Sequence, residues 1–209
     1  MDVVVLVSGG IDSVVMCKLI EKQGDCVLPL FVDYGQLAAK KEWSACQQLL
    51  SDCGLPKSER IDVGGFGKVI SSGLTDRTKD IYKDAFLPSR NLLFLTLAAS
   101  YAYTKGCKVI AIGFLDEKEH LFPDQTQGFV VNANFAINSA LGDNYIILTP
   151  LIQFSKSDVI KMAEKYKIPL GKTYSCHSGE DYYCGKCVSC KELLSSGEEN
   201  KIIQFRKGE

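Results

Sequence analysis

The stretch Ser8-Gly9-Gly10-Ile11-Asp12-Ser13 lies between the apolar run Val3–Val7 and an amphipathic run carrying Val14, Val15, Cys17, Leu19 and Ile20. It therefore reads as the turn between a first buried strand and a first helix. Two adjacent glycines let a backbone approach a ligand closely. Hydroxyls and free N–H groups at a helix N-terminus form a cradle for an anion, and phosphate is the natural occupant. No Lys follows the glycines, so the pattern of P-loop nucleotidases is not met, and the G-x-G-x-x-G spacing of dinucleotide folds is missing. The same residues also suit a plain strand-to-helix turn capped by Ser13 or Asp12.

The rest of the chain repeats the rhythm. The first helix is expected to end near Gly24, with Val27–Val32 a second buried strand closed by Asp33-Tyr34-Gly35-Gln36. Leu37–Cys53 has helical spacing, and Ile61–Val63 can form a third strand. Residues 64–88, broken by Gly64-Gly65-Phe66-Gly67 and Ser71-Ser72-Gly73, are expected to form an irregular, partly mobile loop, a length often used for lids and binding loops. Leu92–Tyr103 predicts a largely buried helix with Ser89 or Asn91 as its cap, Val109–Gly113 a strand, Phe129–Leu141 a helix and Tyr145–Leu148 a strand. Ser155–Tyr166 predicts a helix in which Ser155 and Asp158 form a capping box. Strands alternating with helices predict an α/β fold with a doubly wound, mostly parallel sheet. Ligands of such sheets bind at the carboxyl ends of the strands, where Gly113 and the polar stretch Asp116–Gln127 fall.

The net charge of −1 gives no general reason to bind nucleic acid or an anionic membrane, which favours a small-molecule substrate. The apolar runs are short for a membrane span and the N-terminus does not read as a signal peptide, so a cytoplasmic location is expected. Four of the nine cysteines, Cys176, Cys184, Cys187 and Cys190, fall in a C-x7-C-x2-C-x2-C pattern. Short intervals let neighbouring thiolates face one ion while the long one forms the returning loop, and four thiolates close a tetrahedral zinc site of structural type. An iron–sulfur cluster is the alternative occupant. Cys17, Cys26, Cys46, Cys53 and Cys107 read as packing residues. The change of character near Thr173 divides the chain into a nucleotide-binding α/β domain, 1–170, and a metal-stapled segment, 171–209, packed on it.

The loop resembles the Ser-Gly-Gly-x-Asp-Ser signature of the PP-loop ATP pyrophosphatases, of the adenine nucleotide alpha hydrolase-like fold. Together with Asp33–Gln36, Leu74-Thr75-Asp76, Pro88–Asn91, Gly113, Phe122-Pro123-Asp124, Thr149-Pro150-Leu151, Ser155-Lys156, Thr173–Cys176 and the block Cys184–Cys190, the chain is similar almost end to end to the 7-cyano-7-deazaguanine (preQ0) synthase family. The resemblance implies that ATP activates the carboxylate of 7-carboxy-7-deazaguanine as an acyl-adenylate. Ammonia then gives the amide, and a second activation dehydrates it to the nitrile. It implies ATP, Mg2+ and Zn2+ as cofactors and a homodimer. Val7, Ser8, Gly9, Gly10, Ile11, Asp12 and Ser13 would hold the nucleotide, with Ser8 and Ser13 on its phosphates and Asp12 bearing on magnesium. Asp33, Tyr34, Gly35, Gln36 and Gly113 would border the nucleotide, and Arg90 would meet phosphate or the substrate carboxylate, unless it is only a helix-start charge.

The chain departs from the family pattern at Leu115, Lys118, His120 and Leu121, where the family usually has Asn, Asp and a Ser-Gly pair, and at Leu193, where it usually has Arg. These departures motivate an alternative, a paralogue that passes a deazaguanine acid to another amine such as one on a protein. A tRNA-thiolating PP-loop enzyme would need a reactive cysteine and a basic RNA surface, neither evident. A non-catalytic zinc-stapled module gives no reason for the intact loop. No segment is left over for glutamine hydrolysis, so ammonia comes from solution or a partner.

Overall fold

A strand apolar on both faces must be covered on both, and Val3–Val7 is buried along its whole length. In the computed structural model, which describes residues 1–116, 118 and 121–198, this segment is the central strand of the sheet. The elements follow as β1 (Asp2–Val7), α1 (Ile11–Lys22), β2 (Cys26–Asp33), α2 (Ala39–Asp52), β3 (Glu59–Asp62), α3 (Gly65–Val69) and α4 (Arg90–Lys105). Then come β4 (Val109–Ala111), α5 (Gln127–Leu141), β5 (Ile146–Leu148), α6 (Lys156–Lys165) and α7 (Val188–Ser195). The strands lie in the order β3-β2-β1-β4-β5, and every pairing is parallel.

Alternation along β1 divides the core. Val3, Val5 and Val7 face α1, α2 and α6, whereas Val4 and Leu6 face α4 and α5 with Ile110. Pro29 is tolerated inside β2 because β3 begins only opposite Leu30, so at Pro29 the strand has a neighbour on the β1 side alone. The chain builds outward from β1 through β2 to β3, then crosses to β4 and β5 on the other side. The switch point is the crevice beyond the carboxyl ends of β1 and β4.

Several expectations are corrected. Residues 64–88 contain helix α3, and the remainder is pinned: the Leu37 N–H donates to the Leu74 carbonyl at 2.8 Å and the Gly73 N–H to the Asp84 carbonyl at 2.7 Å. Leu74, Ala85 and Leu87 form a small buried cluster with Tyr34. Neither Ser89 nor Asn91 caps α4, because Ser89 sits in the left-handed region at φ 60° and makes no capping bond. The same helix is buried on one side only, with Tyr103 and Leu92 exposed. On α5 the exposed apolar residues are Val131 and Phe135, the latter 77% accessible. Cys26 is exposed rather than packed, whereas Cys17, Cys46 and Cys107 are buried. The capping box of α6 forms, Ser155 Oγ accepting from the Asp158 N–H at 3.2 Å while the Ser155 N–H donates to Asp158 Oδ2 at 3.1 Å.

Candidate active site

The loop lies at the switch point. Neither Ser13 nor Asp12 caps α1: Gly10 is the N-cap residue, in extended conformation, without a side-chain capping bond. Instead the hydroxyls brace the loop itself. Ser13 Oγ donates to the Gly10 carbonyl at 2.9 Å and accepts from the Ser8 N–H at 3.3 Å, and Ser8 Oγ accepts from the Gly10 N–H at 3.3 Å. Gly9 cannot be replaced cheaply, since its φ is +81° and a Cβ there would lie 2.5 Å from the Glu42 carbonyl oxygen. The N-terminus of a twelve-residue helix thus opens at a shaped loop, the arrangement that binds phosphate.

A pocket of about 290 Å³ opens over this loop. Val7, Ser8, Gly10, Asp12, Ser13, Tyr34, Arg90 and Gly113 of the expected residues line it. Others stand behind the wall. Gly9 packs on α2, Ile11 is in the core, and Asp33 accepts from the Gly35 N–H at 3.0 Å and pairs with Arg60. Gln36 is buried, with Oε1 accepting from the Tyr34 N–H at 2.9 Å and Nε2 donating to Glu42 Oε2 at 2.8 Å.

The helical spacing of Leu37–Cys53 puts Glu42 with Lys40 and Lys41 on the outward face and nothing in the sequence marks His177, yet both Glu42 and His177 line the pocket. Arg90, the first residue of α4, places its guanidinium carbon 5.8 Å from the ring centres of both Tyr34 and Phe94, and its Nε is buried without a hydrogen-bond partner. His177 Nδ1 is likewise buried and unpartnered. Burial first and the Arg90 charge second hold the His177 imidazole down at about 4. Burial pushes the Glu42 carboxyl up to about 7, against the Gln36 hydrogen bond and the Arg90 charge.

In the sequence Lys156 stands out only within the family pattern; in the fold it joins two carboxylates at the pocket. Its Nζ lies 2.8 and 2.7 Å from the two carboxylate oxygens of Asp12 and 3.4 Å from Glu192 of α7. Burial opposes its charge, but Asp12 and Glu192 outweigh burial and hold the ammonium above its ordinary range. Asp12 keeps about 29% of its side chain accessible and lines the pocket, so its oxygens can meet a cation from that side.

The four cysteine sulfurs lie within 4.8 Å of one another, and Cys184 Sγ is 4.0 Å from Cys190 Sγ. Sulfurs around a tetrahedral zinc stand about 3.8 Å apart, so the donor set fits that ion. Backbone N–H groups point at the sulfurs, from Cys184 to Cys176 at 3.3 Å, from Lys186 to Cys184 at 3.4 Å and from Cys187 to Cys184 at 3.3 Å. Such bonds favour thiolates. The segment is also a wall of the pocket, since Tyr174, Ser175, His177, Val188, Ser189 and Glu192 line it. Its attachment to the loop is direct, the Tyr174 N–H donating to the Gly9 carbonyl at 3.0 Å.

The sequence model of a family described as "Queuosine biosynthesis protein QueC" matches residues 2–200. The chain belongs to the QueC family. Among relatives of this QueC-family chain, the 7-cyano-7-deazaguanine synthase of Campylobacter fetus subsp. fetus is 35% identical, covering 95% of the chain and 93% of the relative. The enzyme of the same name from Nautilia profundicola is 34% identical over 95% and 94%. Solved structures show the fold alone. A protein described as a tRNA methyltransferase subunit from Methanocaldococcus jannaschii superposes with a TM-score of 0.56 at 17% identity, over 78% of this chain and 76% of that one. A 4-thiouridine synthetase bound to RNA and ATP superposes with 0.52 at 18%, over 94% and 50%.

Where this QueC-family chain departs from the expected pattern, Leu115 and Leu193 are buried in the core shared by β1, α1 and α6. Leu121 is exposed, the Lys118 N–H donates to Asp116 at 2.9 Å, and His120 lies outside the described residues. No helix among the described residues is long and apolar enough to cross a membrane.

Proposed function

We propose that this chain is an ATP-dependent 7-cyano-7-deazaguanine synthase. The observation that carries the reading is the phosphate-shaped loop Ser8–Ser13 at the switch point of a chain that matches synthases of that name along nearly its whole length. The chemistry asks little of the side chains. A substrate carboxylate is already the nucleophile: its oxygen bonds to the α-phosphorus of ATP, the α–β bridge breaks, and pyrophosphate leaves onto the N–H groups opening α1 and the hydroxyls of Ser8 and Ser13. Asp12 is the residue proposed to hold magnesium, which would neutralise charge on the leaving group. Arg90 offers a guanidinium to phosphate or to the acid. Ammonia, from solution or a partner, displaces AMP to give the amide; a second adenylation on the amide oxygen and loss of AMP leaves the nitrile.

Cys176, Cys184, Cys187 and Cys190 are proposed as zinc ligands, in a closed site that fixes the wall formed by residues 171–209 against the nucleotide unit 1–170. The pairing of chains as a homodimer is supported by the exposed apolar residues Val131 and Phe135 on α5. Nine cysteines without a disulfide support a cytoplasmic setting.

Incubation with 7-carboxy-7-deazaguanine, ATP, magnesium and ammonium is expected to release AMP and pyrophosphate and to give an amide and then the nitrile by mass. Ser13→Ala is expected to slow pyrophosphate release on the order of 100-fold. It is a cleaner probe than Asp12→Asn, which also removes a partner of Lys156. Release of pyrophosphate that stops at the amide or passes the acid to a protein amine would favour the paralogue. No release with this acid would reject the reading.

A further inference from the structure

Glu42 is a carboxyl group on the pocket wall whose only side-chain hydrogen bond among the described residues comes from Gln36. No Lys or Arg among the described residues lies within ion-pairing distance of it. Gln36 is itself fixed, its Oε1 held by the Tyr34 N–H and its Nε2 also reaching the Val32 carbonyl at 3.4 Å, so it orients one Glu42 oxygen and leaves the other to the pocket. The helix that carries Glu42 is anchored at this residue, because the Glu42 carbonyl lies against Gly9 of the phosphate loop. A desolvated carboxylate with one neutral partner is completed by a ligand that presents donors, and one presenting two adjacent N–H groups completes it best. The Tyr34 and Phe94 rings beside Arg90 give that ligand apolar surface to lie on.

We propose that Glu42 is the specificity-determining residue for the acceptor, accepting the ring N1–H and the exocyclic 2-amino N–H of a 2-amino-4-oxopyrimidine edge. Adenine presents an amino donor beside a ring acceptor on the corresponding edge and matches a carboxylate less well, so this wall selects the acid rather than ATP. The assignment deepens the function proposed above and rests on it for the identity of the acid. Arg90 and His177, whose Nε and Nδ1 are buried and unpartnered in the same pocket, are left for the acid's polar far side.

The test compares 7-carboxy-7-deazaguanine with the analogue lacking the 2-amino group, by calorimetric binding to the metal-loaded protein and to its Glu42→Gln variant. For the parent, loss of the amino group is expected to weaken binding on the order of 10- to 100-fold, the scale of a hydrogen bond to a charged group. The variant is expected to bind the full acid weaker by a similar factor, to distinguish the two acids less than about threefold, and to bind ATP as the parent does, which also reports that it is folded. A variant that keeps the parent's discrimination overturns the proposal, as does one whose loss falls on ATP, or a parent that binds the two acids equally or neither. Discriminating binding without pyrophosphate release would reject the proposed function and leave the role of Glu42 standing.

Discussion

Lys156 shows how much one side chain can hold in this molecule. About 6% of it is accessible, and it ties Asp12 of the Ser8–Ser13 loop to Glu192 of α7. Removing one member of a buried charge group costs about 3–5 kcal/mol because the partners stay buried and uncompensated. Both carboxylates here keep about a quarter of their side chains accessible, 29% for Asp12 and 25% for Glu192, so water offsets part of the loss and the effect falls at or just below that range. Lys156→Met is therefore expected to lower the free energy of unfolding by about 2–3 kcal/mol in urea titrations, with Glu192→Gln costing less because its ion pair is the longer one. Equal stability of Lys156→Met and the parent would show that the contact contributes nothing. The sequence pointed to Lys156 only through a family pattern. No local rule says that a lysine on α6 will meet an aspartate on α1, because the sheet, not the spacing, brings them together. Glu42 and His177 were illegible for the same reason, since an isolated carboxylate or imidazole reads as surface until its neighbours are known.

At the scale of elements, legibility follows the kind of force. Strands β1, β2 and β4 and helices α1, α2, α5 and α6 were foreseen to within a few residues because burial imposes a period on their sequences. Helix α6 was also marked by its cap. Ser155→Ala removes the Oγ that accepts from Asp158 and is expected to cost about 1 kcal/mol, read as a small fall in melting temperature; an unchanged transition would assign the start of α6 to packing alone. The failures lie where order comes from elsewhere. Residues 70–88 are held by the backbone bond from Leu37 to Leu74, by internal bonds such as that from Gly73 to Asp84, and by Asp76 and Asp80 accepting from N–H groups two residues on, which a composition of turn formers conceals. Helix α7 escaped notice because the cysteine block that starts it reads as a metal loop, although Cys187 Sγ accepts from the Cys190 N–H as an N-cap. Ser89 looked like a cap by type and is excluded by its left-handed backbone.

The whole molecule is two half-sheets meeting at β1, with the cysteine segment folded back across the join. Cys176, Cys187, Cys190 and Leu193 share one buried cluster with α1, α2 and α6, so the cysteine cluster, the core and the pocket wall are continuous. Chelation, or Cys187→Ser, is expected to lower metal content, melting temperature and ATP affinity together, because the segment that loses its staple carries Tyr174, Ser175 and His177 into the pocket. A metal-free protein that melted as the parent and bound ATP as tightly would separate the cluster from the site. The bond from Tyr174 to Gly9 joins a residue near the end of the chain to one near its beginning. That contact is distant in sequence, so it forms only where the chain between the two residues is already folded. The far wall of the pocket is thus its most non-local part, and a local opening of the cysteine segment is expected to unroof the Ser8–Ser13 loop before the sheet itself loosens.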